Sequence, residues 1–448
     1  MIKISYFKKE PLFNRVLKSF SWTLLGTIIA RGLSLIALIL VARILGVEEF
    51  GKYSILQNTI IMIGTFSGLG IGMTATKFIA EFRQNDSEKA SRIIALCESL
   101  NVLTGLFFAI GTFFLSPFLS VQILADPSLE PLLKLCCIYL FLITVDSAQN
   151  GTIAGIEAFK PRAITQIITS ILFIFFVVIG TLLWGIIGTV IALIFQGLSS
   201  CILNLFIIKV WSKKIGLEIK FDGMLKEIKG LLKFSLPVFA SSLFIIPIEW
   251  FLSAILVKSA NGFIEVGYIN ATKQWFIIIT FLPMALANIT LPVLSSLIGN
   301  NEHNKYGRVV IINTIIMTGV GVILAIPIFI LSDFFIGFYG KDFIVASDVL
   351  KLTCIYAVLY CLNIIVGQVI WTNGFAIAGF LLSVFRSVVL VIGFMFLFEK
   401  TAIGLVQSYI LSYIMLSIVQ IILAIFMIKK LNKGKSNEKY RAQKVSTS

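Results

Sequence analysis

The sequence is most informative about the fold at residues 17–58, LKSFSWTLLGTIIARGLSLIALILVARILGVEEFGKYSILQN. Its first part, residues 20–42, is apolar and long enough to cross a bilayer, which takes about 20 residues. A single arginine, Arg31, lies near the middle of that part. A charged side chain at this depth costs about 2.5–3.5 kcal/mol on insertion scales, so it is kept where it faces protein or water. The stretch therefore predicts one wall of a polar cavity inside a membrane protein.

The composition of the whole chain indicates that lipid is its main solvent. Hydrophobic residues make up 58% of the 448 positions, charged residues make up 13%, and the mean hydropathy is +1.00. A soluble protein carries about 25% charged residues. The formal net charge is +15, but the basic residues lie at the ends of apolar segments, which is typical of charges that set membrane orientation. No nucleic-acid partner is expected.

Twelve segments meet the length and apolarity of a membrane span, so the chain is predicted to be an all-α integral membrane protein. The predicted spans are 20–42, 54–76, 93–118, 132–155, 164–184, 187–210, 232–257, 267–298, 309–331, 347–370, 374–398 and 402–428. We expect Pro283 and Pro292 to kink the long eighth span.

The distribution of lysine and arginine predicts the orientation of these spans. With the N-terminus inside, 27 of the 37 basic residues lie on the inner side, 7 lie on the outer side and 3 lie within spans. This asymmetry predicts a multi-pass protein of the cytoplasmic membrane with both termini in the cytoplasm. Residues 1–19 alternate apolar and basic positions, which predicts an amphipathic cytoplasmic segment on the inner membrane face. Residues 429–448 form a basic cytoplasmic tail.

The longest basic inner loop separates the sixth span from the seventh. It divides the chain into an N-lobe, 20–210, a linker, 211–231, and a C-lobe, 232–428, each lobe with six helices. A short motif supports this division, because Gly46-x-x-Glu49-x-Gly51 after the first span is repeated as Gly262-x-x-Glu265-x-Gly267 after the seventh. An even number of spans per repeat predicts two lobes related by an axis along the membrane normal.

Five charged residues inside or near spans need a physical reason. Arg31 and Arg386 are too deep to reach water by extension, and a guanidinium can donate two parallel hydrogen bonds to a phosphate. Lys273 and Glu249 fall at similar depth in the membrane. Either they form an ion pair with each other, or they have separate roles, in which case the lysine is a further ligand of an anion. Asp146 either holds helices together or takes part in transport. We expect Glu249 and Asp146 to be the candidates for ion coupling.

Polar amides form a second group of candidate ligands. Each of them either makes hydrogen bonds between helices or contacts a sugar. They are Gln57 and Asn58 in the second span, Gln149 and Asn150 in the fourth, and Gln368 in the tenth.

The sequence shows no pattern typical of an enzyme or of a cofactor site. The six cysteines contain no C-x-x-C pair and are expected to be small buried side chains, so no metal site and no disulfide framework are predicted. No phosphate-binding loop is present. The chain is therefore predicted to be a transporter without a cofactor, driven by an ion gradient, by the membrane potential or by consumption of its cargo on the far side.

Four motifs resemble those of polysaccharide and O-antigen repeat-unit flippases, which form the polysaccharide transporter family of the MATE-like MOP superfamily. They are Ala42-Arg-Ile-Leu-Gly46-x-x-x-Phe50-Gly51-x-Tyr53; Gly68-Leu-Gly70 followed by Ala75-Thr-Lys77-Phe-Ile-Ala-Glu81-Phe-Arg83; Gln149-Asn-Gly151-x-x-Ala-Gly155-Ile-Glu157-Ala-Phe159; and Gly367-Gln-Val-Ile. The resemblance covers essentially the whole chain, with Val47 in place of the usual turn proline.

This resemblance implies two pseudo-symmetric six-helix lobes around a central cationic cavity that opens alternately to either side. The implied cargo is an oligosaccharide repeat unit on a polyprenyl pyrophosphate, carried by a monomer among membrane lipids. A glycan polymerase and glycosyltransferases are the expected protein partners. Two other functions stay open: a cation-coupled multidrug antiporter of the same fold, and a membrane-embedded glycan ligase or polymerase, which should carry a large outer loop.

Overall fold

The computed structural model describes residues 12–242, 245–300, 302–373 and 375–446, and every regular element in those ranges is helical. Most of the predicted N-terminal segment 1–19 therefore lies outside the described residues, and so do the side chains of the tail 429–448. The helices are α1 Leu12–Gly68, α2 Ile71–Phe82, α3 Ser87–Phe118, α4 Glu130–Gly155, α5 Phe159–Ile215, α6 Ile228–Ser242, α7 Ile246–Val257, α8 Gly262–Gly299, α9 His303–Ile330, α10 Ser332–Gly337, α11 Ser347–Thr372, α12 Ala376–Ile392 and α13 Ala402–Ser446.

Helix α5 has 57 residues and contains two membrane spans. At about 1.5 Å per residue a straight helix of this length would be far longer than the roughly 30 Å hydrocarbon core. The helix reverses at Trp184 and Gly185, and Gly185 has a φ of 56°. The two halves then pack together, because Thr181 and Thr189 share a hydrogen bond of 2.8 Å between their hydroxyl oxygens. The predicted boundary between the fifth and sixth spans is therefore confirmed.

Helix α1 also has 57 residues and also contains two spans, which are separated at Gly46 with a φ of 77°. A Cβ added at Gly26, in the first half, would lie 2.6 Å from the Cβ of Ala163. A Cβ added at Gly72, just past the second half, would lie 2.7 Å from the carbonyl oxygen of Ser147. Ser147 lies in α4 and Ala163 lies in α5, on either side of the turn that joins these two helices. Gly26 in the first half of α1 and Gly72 beyond the end of its second half therefore both lie near this turn, so the two halves run antiparallel.

Two predicted spans are interrupted where the sequence analysis drew them as continuous. The second, 54–76, breaks after Gly68, because Leu69 and Gly70 both adopt positive φ before α2 begins. In the seventh, 232–257, the described chain contains α6 up to Ser242 and α7 from Ile246, with Ile245 outside both helices and residues 243–244 outside the described residues. Pro247 lies in the first turn of α7, where its missing N–H leaves no helical hydrogen bond unmade.

Nine helices of the described chain are long and apolar enough to span a membrane. The reversals inside α1 and α5 raise the number of crossings by two, and the divided seventh span, with α7 as a shorter apolar helix, supplies one more. Large apolar side chains such as Phe107, Phe114 and Ile377 are more than 70% exposed, which is expected for surfaces that face lipid. The chain is a multi-pass, all-helical membrane protein.

The contacts of the chain form two compact units, one up to Gly267 and one from Tyr268 onward. The core of the first packs Ile71, Ile79 and Ile94 against residues such as Ile208 and Leu231, so the polypeptide after α5 belongs to this core. The second unit has two buried clusters, which are centred on α9, α11 and α13. The six-helix lobes 20–210 and 232–428 remain predictions.

The two copies of the repeated glycine motif contact each other within the first unit. A Cβ added at Gly51 would lie 1.8 Å from the carbonyl oxygen of Phe263, and one added at Gly267 would lie 2.6 Å from the carbonyl oxygen of Val47. No real side chain fits such distances to a backbone atom. The glycines of the repeat are therefore required for close backbone approach between the start of α8 and the second half of α1.

Candidate functional site

Arg386 lies in the middle of α12 and is buried, with 5% of its surface exposed. Its Nη1 donates a hydrogen bond of 3.1 Å to the hydroxyl oxygen of Tyr413. The centre of the guanidinium also lies 5.2 Å from the centroid of the Tyr413 ring, within the range of a cation–π interaction. The guanidinium is thus buried inside the second unit and held by Tyr413, and its predicted role as an anion ligand stays a prediction.

Tyr413 belongs to a group of aromatic rings that was not predicted from the sequence. Tyr413 packs against Tyr356 and Tyr360, with ring centroids 5.3 Å and 5.8 Å away. Tyr356 in turn stacks on Phe276, at 4.5 Å with 9° between the planes, and on Tyr409, at 5.0 Å with 24°. The tyrosines of α11 and of α13 are each spaced four residues apart, which places them on one helix face. This spacing was a signal available in the sequence.

Arg31, the other deep arginine, is an exposed residue in the first half of α1. Gln57 and Asn58 lie half-buried in the second half of the same helix. Next to them, the Thr59 hydroxyl accepts a hydrogen bond of 2.9 Å from the indole Nε1 of Trp250. Because Trp250 follows Glu249 in α7, this bond brings the polar part of α1 close to one of the predicted coupling residues.

Asp146 and Asn150 are brought together, as their spacing of four residues on α4 predicts. The Asp146 carboxylate accepts hydrogen bonds of 2.6 Å from Asn150, 2.6 Å from Ser200 and 3.0 Å from Asn204. Arg162 donates to the backbone carbonyl of Asn150 at 3.3 Å. Ser200 and Asn204 lie in the second half of α5, so this polar cluster joins the fourth and sixth spans. The sequence analysis did not identify either residue as a partner of Asp146.

The remaining predicted site residues have separate surroundings. Gln149 is fully buried, and within the described residues neither of its amide atoms has a hydrogen-bond partner. Gln368 donates from Nε2 to the carbonyl oxygen of Ala287 at 2.8 Å, which ties α11 to α8. Glu249 is half-buried in the first turn of α7, and Lys273 is exposed on α8. All six cysteines are buried and unpaired, and the described residues contain no group of three or more His, Cys, Asp or Glu that would hold a metal ion.

A family model described as polysaccharide biosynthesis protein matches residues 16–298, well over half of the chain. The chain belongs to the polysaccharide biosynthesis protein family. The matched range includes the arginine of α1, the Asp146 cluster and both copies of the glycine motif.

Two curated relatives extend this family assignment. The chain is 22% identical over 86% of its length to the EPS I polysaccharide export inner membrane protein EpsE of Ralstonia solanacearum, of which it covers 88%. It is 26% identical over 59% of its length to the stage V sporulation protein B of Bacillus subtilis. The chain spans about half, 52%, of the length of that second relative.

Solved structures confirm the predicted fold class of this family member. An inward-facing multidrug resistance MATE transporter of the MOP superfamily matches with a TM-score of 0.77 and 17% identity, over 92% of this chain and 99% of that one. A MOP superfamily transporter from Pyrococcus furiosus, described as having a binding pocket of reverse polarity, matches with a TM-score of 0.67 and 17% identity, over 93% and 96%. The fold is that of the MATE-like transporters.

The family motifs identified in the sequence contact each other at one end of α2. The Arg83 guanidinium donates to the carbonyl oxygen of Gly155 at 2.9 Å and forms an ion pair with Glu157. Two further ion pairs anchor the polypeptide that follows α5: Arg92 with Glu227 at 3.0 Å, and Lys220 with Glu88 at 2.9 Å. The hydrogen bond to the Glu88 carboxylate raises the pKa of Lys220. The motif residues Arg83, Gly155 and Glu157 therefore join the end of α2 to the end of α4, and the other two ion pairs join α3 to the polypeptide after α5, all of which are structural roles.

Proposed function

We propose that the chain translocates a polyprenyl-pyrophosphate-linked oligosaccharide repeat unit across the cytoplasmic membrane by alternating access, for the biosynthesis of cell-surface polysaccharide. Three findings support this proposal. The chain belongs to the polysaccharide biosynthesis protein family, its relative in Ralstonia solanacearum is a polysaccharide export protein of similar length, and its fold is that of MATE-like transporters.

Arg386 is the observation that carries the proposal. A guanidinium stays charged under all physiological conditions, and its planar array of donors matches phosphate oxygens. Burying it in a membrane helix is costly, so an ionisable residue at this depth is a functional-site candidate by default. The hydroxyl and the ring face of Tyr413 both contact the guanidinium and orient it. In our proposal this charge attracts the pyrophosphate, and Arg31 and Lys273 are further cationic ligands.

The amides and carboxylates have separate roles in the proposal. Gln57, Asn58, Gln149, Asn150 and Gln368 are candidate sugar ligands. The buried amide of Gln149, which has no protein partner within the described chain, supports such a role because an unsatisfied buried polar group is costly.

Ion coupling is assigned to Asp146 and Glu249. Three hydrogen-bond donors, from Asn150, Ser200 and Asn204, surround the Asp146 carboxylate. Protonation or cation binding would rearrange these bonds between α4 and α5, and this rearrangement is a means of linking an ion to the movement of helices. Asp146→Asn retains the side-chain volume but removes the charge, and we expect it to uncouple export from the ion gradient.

The proposal is tested in cells that lack their own copy of the gene and express variants of the chain. We expect Arg386→Gln and Arg31→Gln to lower surface glycan at least about tenfold, since a charged hydrogen bond to an ionic ligand contributes about 1.5–3 kcal/mol, and lipid-linked oligosaccharide should accumulate. The variants Arg386→Lys and Arg31→Lys retain the positive charge. Cells that express them should therefore export more glycan than cells that express the glutamine variants. Lys305→Gln, at an exposed residue paired with Glu302, is the matched control.

Each variant is quantified in the membrane fraction, so that loss of export is separated from loss of protein. Unchanged surface glycan in both glutamine variants, at normal protein levels, would contradict the proposal.

A multidrug antiporter is the second candidate, because the structural neighbours include multidrug resistance transporters of the same fold. It predicts that the wild-type chain protects cells against cationic dyes, and the buried positive charge of Arg386 argues against a cationic cargo.

A further inference from the structure

The aromatic group that contains Tyr413, the residue in contact with Arg386, draws on three helices of the second unit. Phe276 comes from α8, Tyr356 and Tyr360 from α11, and Tyr409 and Tyr413 from α13, with the arginine on α12. We call these five residues the ring platform. Its rings are in mutual contact through centroid distances between 4.5 Å and 5.8 Å. The platform therefore forms one continuous aromatic surface.

The ring platform differs from a sealed apolar core. Only Tyr413 is buried, whereas Phe276, Tyr356, Tyr360 and Tyr409 are half-buried. The platform also contains four hydroxyl groups, and one of them, that of Tyr413, accepts a hydrogen bond from the Arg386 guanidinium. In addition it lies deep in the spans, since Tyr356 is about 14 Å along α11 from Ser347 at a rise of 1.5 Å per residue. Packing alone would be satisfied by leucine or phenylalanine at this depth, without polar atoms.

We propose that the ring platform binds the sugar portion of the cargo, next to the pyrophosphate that Arg386 attracts. This inference rests on the function proposed above. The face of an aromatic ring carries partial negative charge, so it attracts the weakly positive C–H groups on the face of a pyranose. Tyrosine hydroxyls both donate and accept hydrogen bonds, as sugar hydroxyls do. In the stack Phe276–Tyr356–Tyr409, the two end rings are the candidates for contact with the C–H face of a pyranose.

The charge of Arg386 decides between two classes of ligand for such a platform. Clusters of aromatic rings also bind quaternary ammonium groups through cation–π interactions. Here the guanidinium already occupies the face of Tyr413, and it repels a second cation in surroundings of low dielectric constant. The platform is therefore suited to a neutral or anionic sugar and unsuited to a cationic drug.

The test compares two probes on the purified full chain in lipid nanodiscs. One probe is polyprenyl pyrophosphate alone, and the other is the same lipid carrying the oligosaccharide, extracted from cells that express the gene. We expect the wild-type chain to bind the sugar-bearing lipid about fivefold to hundredfold more tightly, because two aromatic contacts of about 0.5–1.5 kcal/mol each give that range. Equal binding of the two probes would overturn the ring platform and leave the flippase proposal intact. Failure to bind either probe would count against both.

Variants of the ring platform then test whether the preference for the sugar-bearing lipid depends on its aromatic rings. The double variant Phe276→Leu, Tyr409→Leu keeps apolar volume but removes the two end rings, and we expect it to bind the two probes within about threefold of each other. Its unchanged affinity for the bare lipid shows that it is folded. Tyr409→Phe keeps the ring and should retain most of the preference. Phe396→Leu removes a ring that is 79% exposed in the same unit and should behave as wild type. A full preference in the double variant would refute the assignment.

Discussion

Replacement of Gly51 by alanine is the sharpest test of how the helices pack. A Cβ at this position would lie 1.8 Å from the carbonyl oxygen of Phe263 and 2.6 Å from its carbonyl carbon. Both atoms belong to the backbone of α8, so the clash is relieved only by moving a helix. Overpacking of this kind costs about 1–3 kcal/mol. Alanine in place of glycine within a helix returns about 1 kcal/mol. We therefore expect a net destabilisation of about 0–2 kcal/mol relative to the wild type, and of about 1–3 kcal/mol relative to a glycine-to-alanine change without a clash.

The assay is unfolding of the purified chain in mixed micelles of dodecylmaltoside and sodium dodecyl sulfate, followed by tryptophan fluorescence. Gly111→Ala is the matched control, because Gly111 lies in the interior of α3 and no heavy atom lies within 4 Å of its added Cβ. We expect this control to be as stable as the wild type or slightly more stable. The close approach of the two repeated motifs is refuted if Gly51→Ala is as stable as Gly111→Ala.

Further predictions concern other contacts of the first unit. Gly188→Ala should be about 1–3 kcal/mol less stable than Gly111→Ala in the same assay, because its Cβ would lie 1.8 Å from a backbone oxygen of the facing half of α5, and stability equal to that control would contradict the hairpin. Ser200→Ala should cost about 1.5–3 kcal/mol, because it removes a donor to the Asp146 carboxylate, and Asp146→Asn should reduce that cost in a double-mutant cycle. Trp250→Phe and Thr59→Val should each cost about 1 kcal/mol and be non-additive, and full additivity would exclude the hydrogen bond between them.

Much of the fold can be predicted from the hydropathy of the segments and the positions of the glycines. The helix breaks that could not be predicted in this way have physical reasons. The reversal at Gly46 was predictable, since a glycine next to acidic residues ends a long apolar segment. The break at Leu69 and Gly70 was not, because it lies within an uninterrupted apolar run and changes no hydropathy average. In the seventh span, α7 likewise begins inside an apolar run, with Pro247 in its first turn. A membrane-span criterion detects length and polarity, and it does not detect a local change of backbone conformation inside an apolar segment.

The candidate site was predictable where its residues share one helix. The hydrogen bond between Asp146 and Asn150 follows from their spacing, whereas Ser200 and Asn204 reach the same carboxylate from a distant part of the chain. The deep arginine on α12 was identified because a charge stands out in an apolar segment. Its aromatic neighbours are common residues in membrane helices, so only the packing of three helices distinguishes the ring platform from an ordinary core.

Translocation of the lipid-linked oligosaccharide in a reconstituted system measures the proposed flippase activity itself and its dependence on Arg386. The purified chain is placed in liposomes that contain the sugar-bearing polyprenyl pyrophosphate, and an impermeant sugar-oxidising reagent measures how much of the lipid becomes accessible from outside. We predict that the wild-type chain exposes the inner-leaflet pool, that Arg386→Lys retains part of this activity, and that Arg386→Gln falls to the level of liposomes without protein. Exposure by Arg386→Gln at the wild-type rate, or none by the wild-type chain in the presence of an imposed ion gradient and membrane potential, would contradict the account.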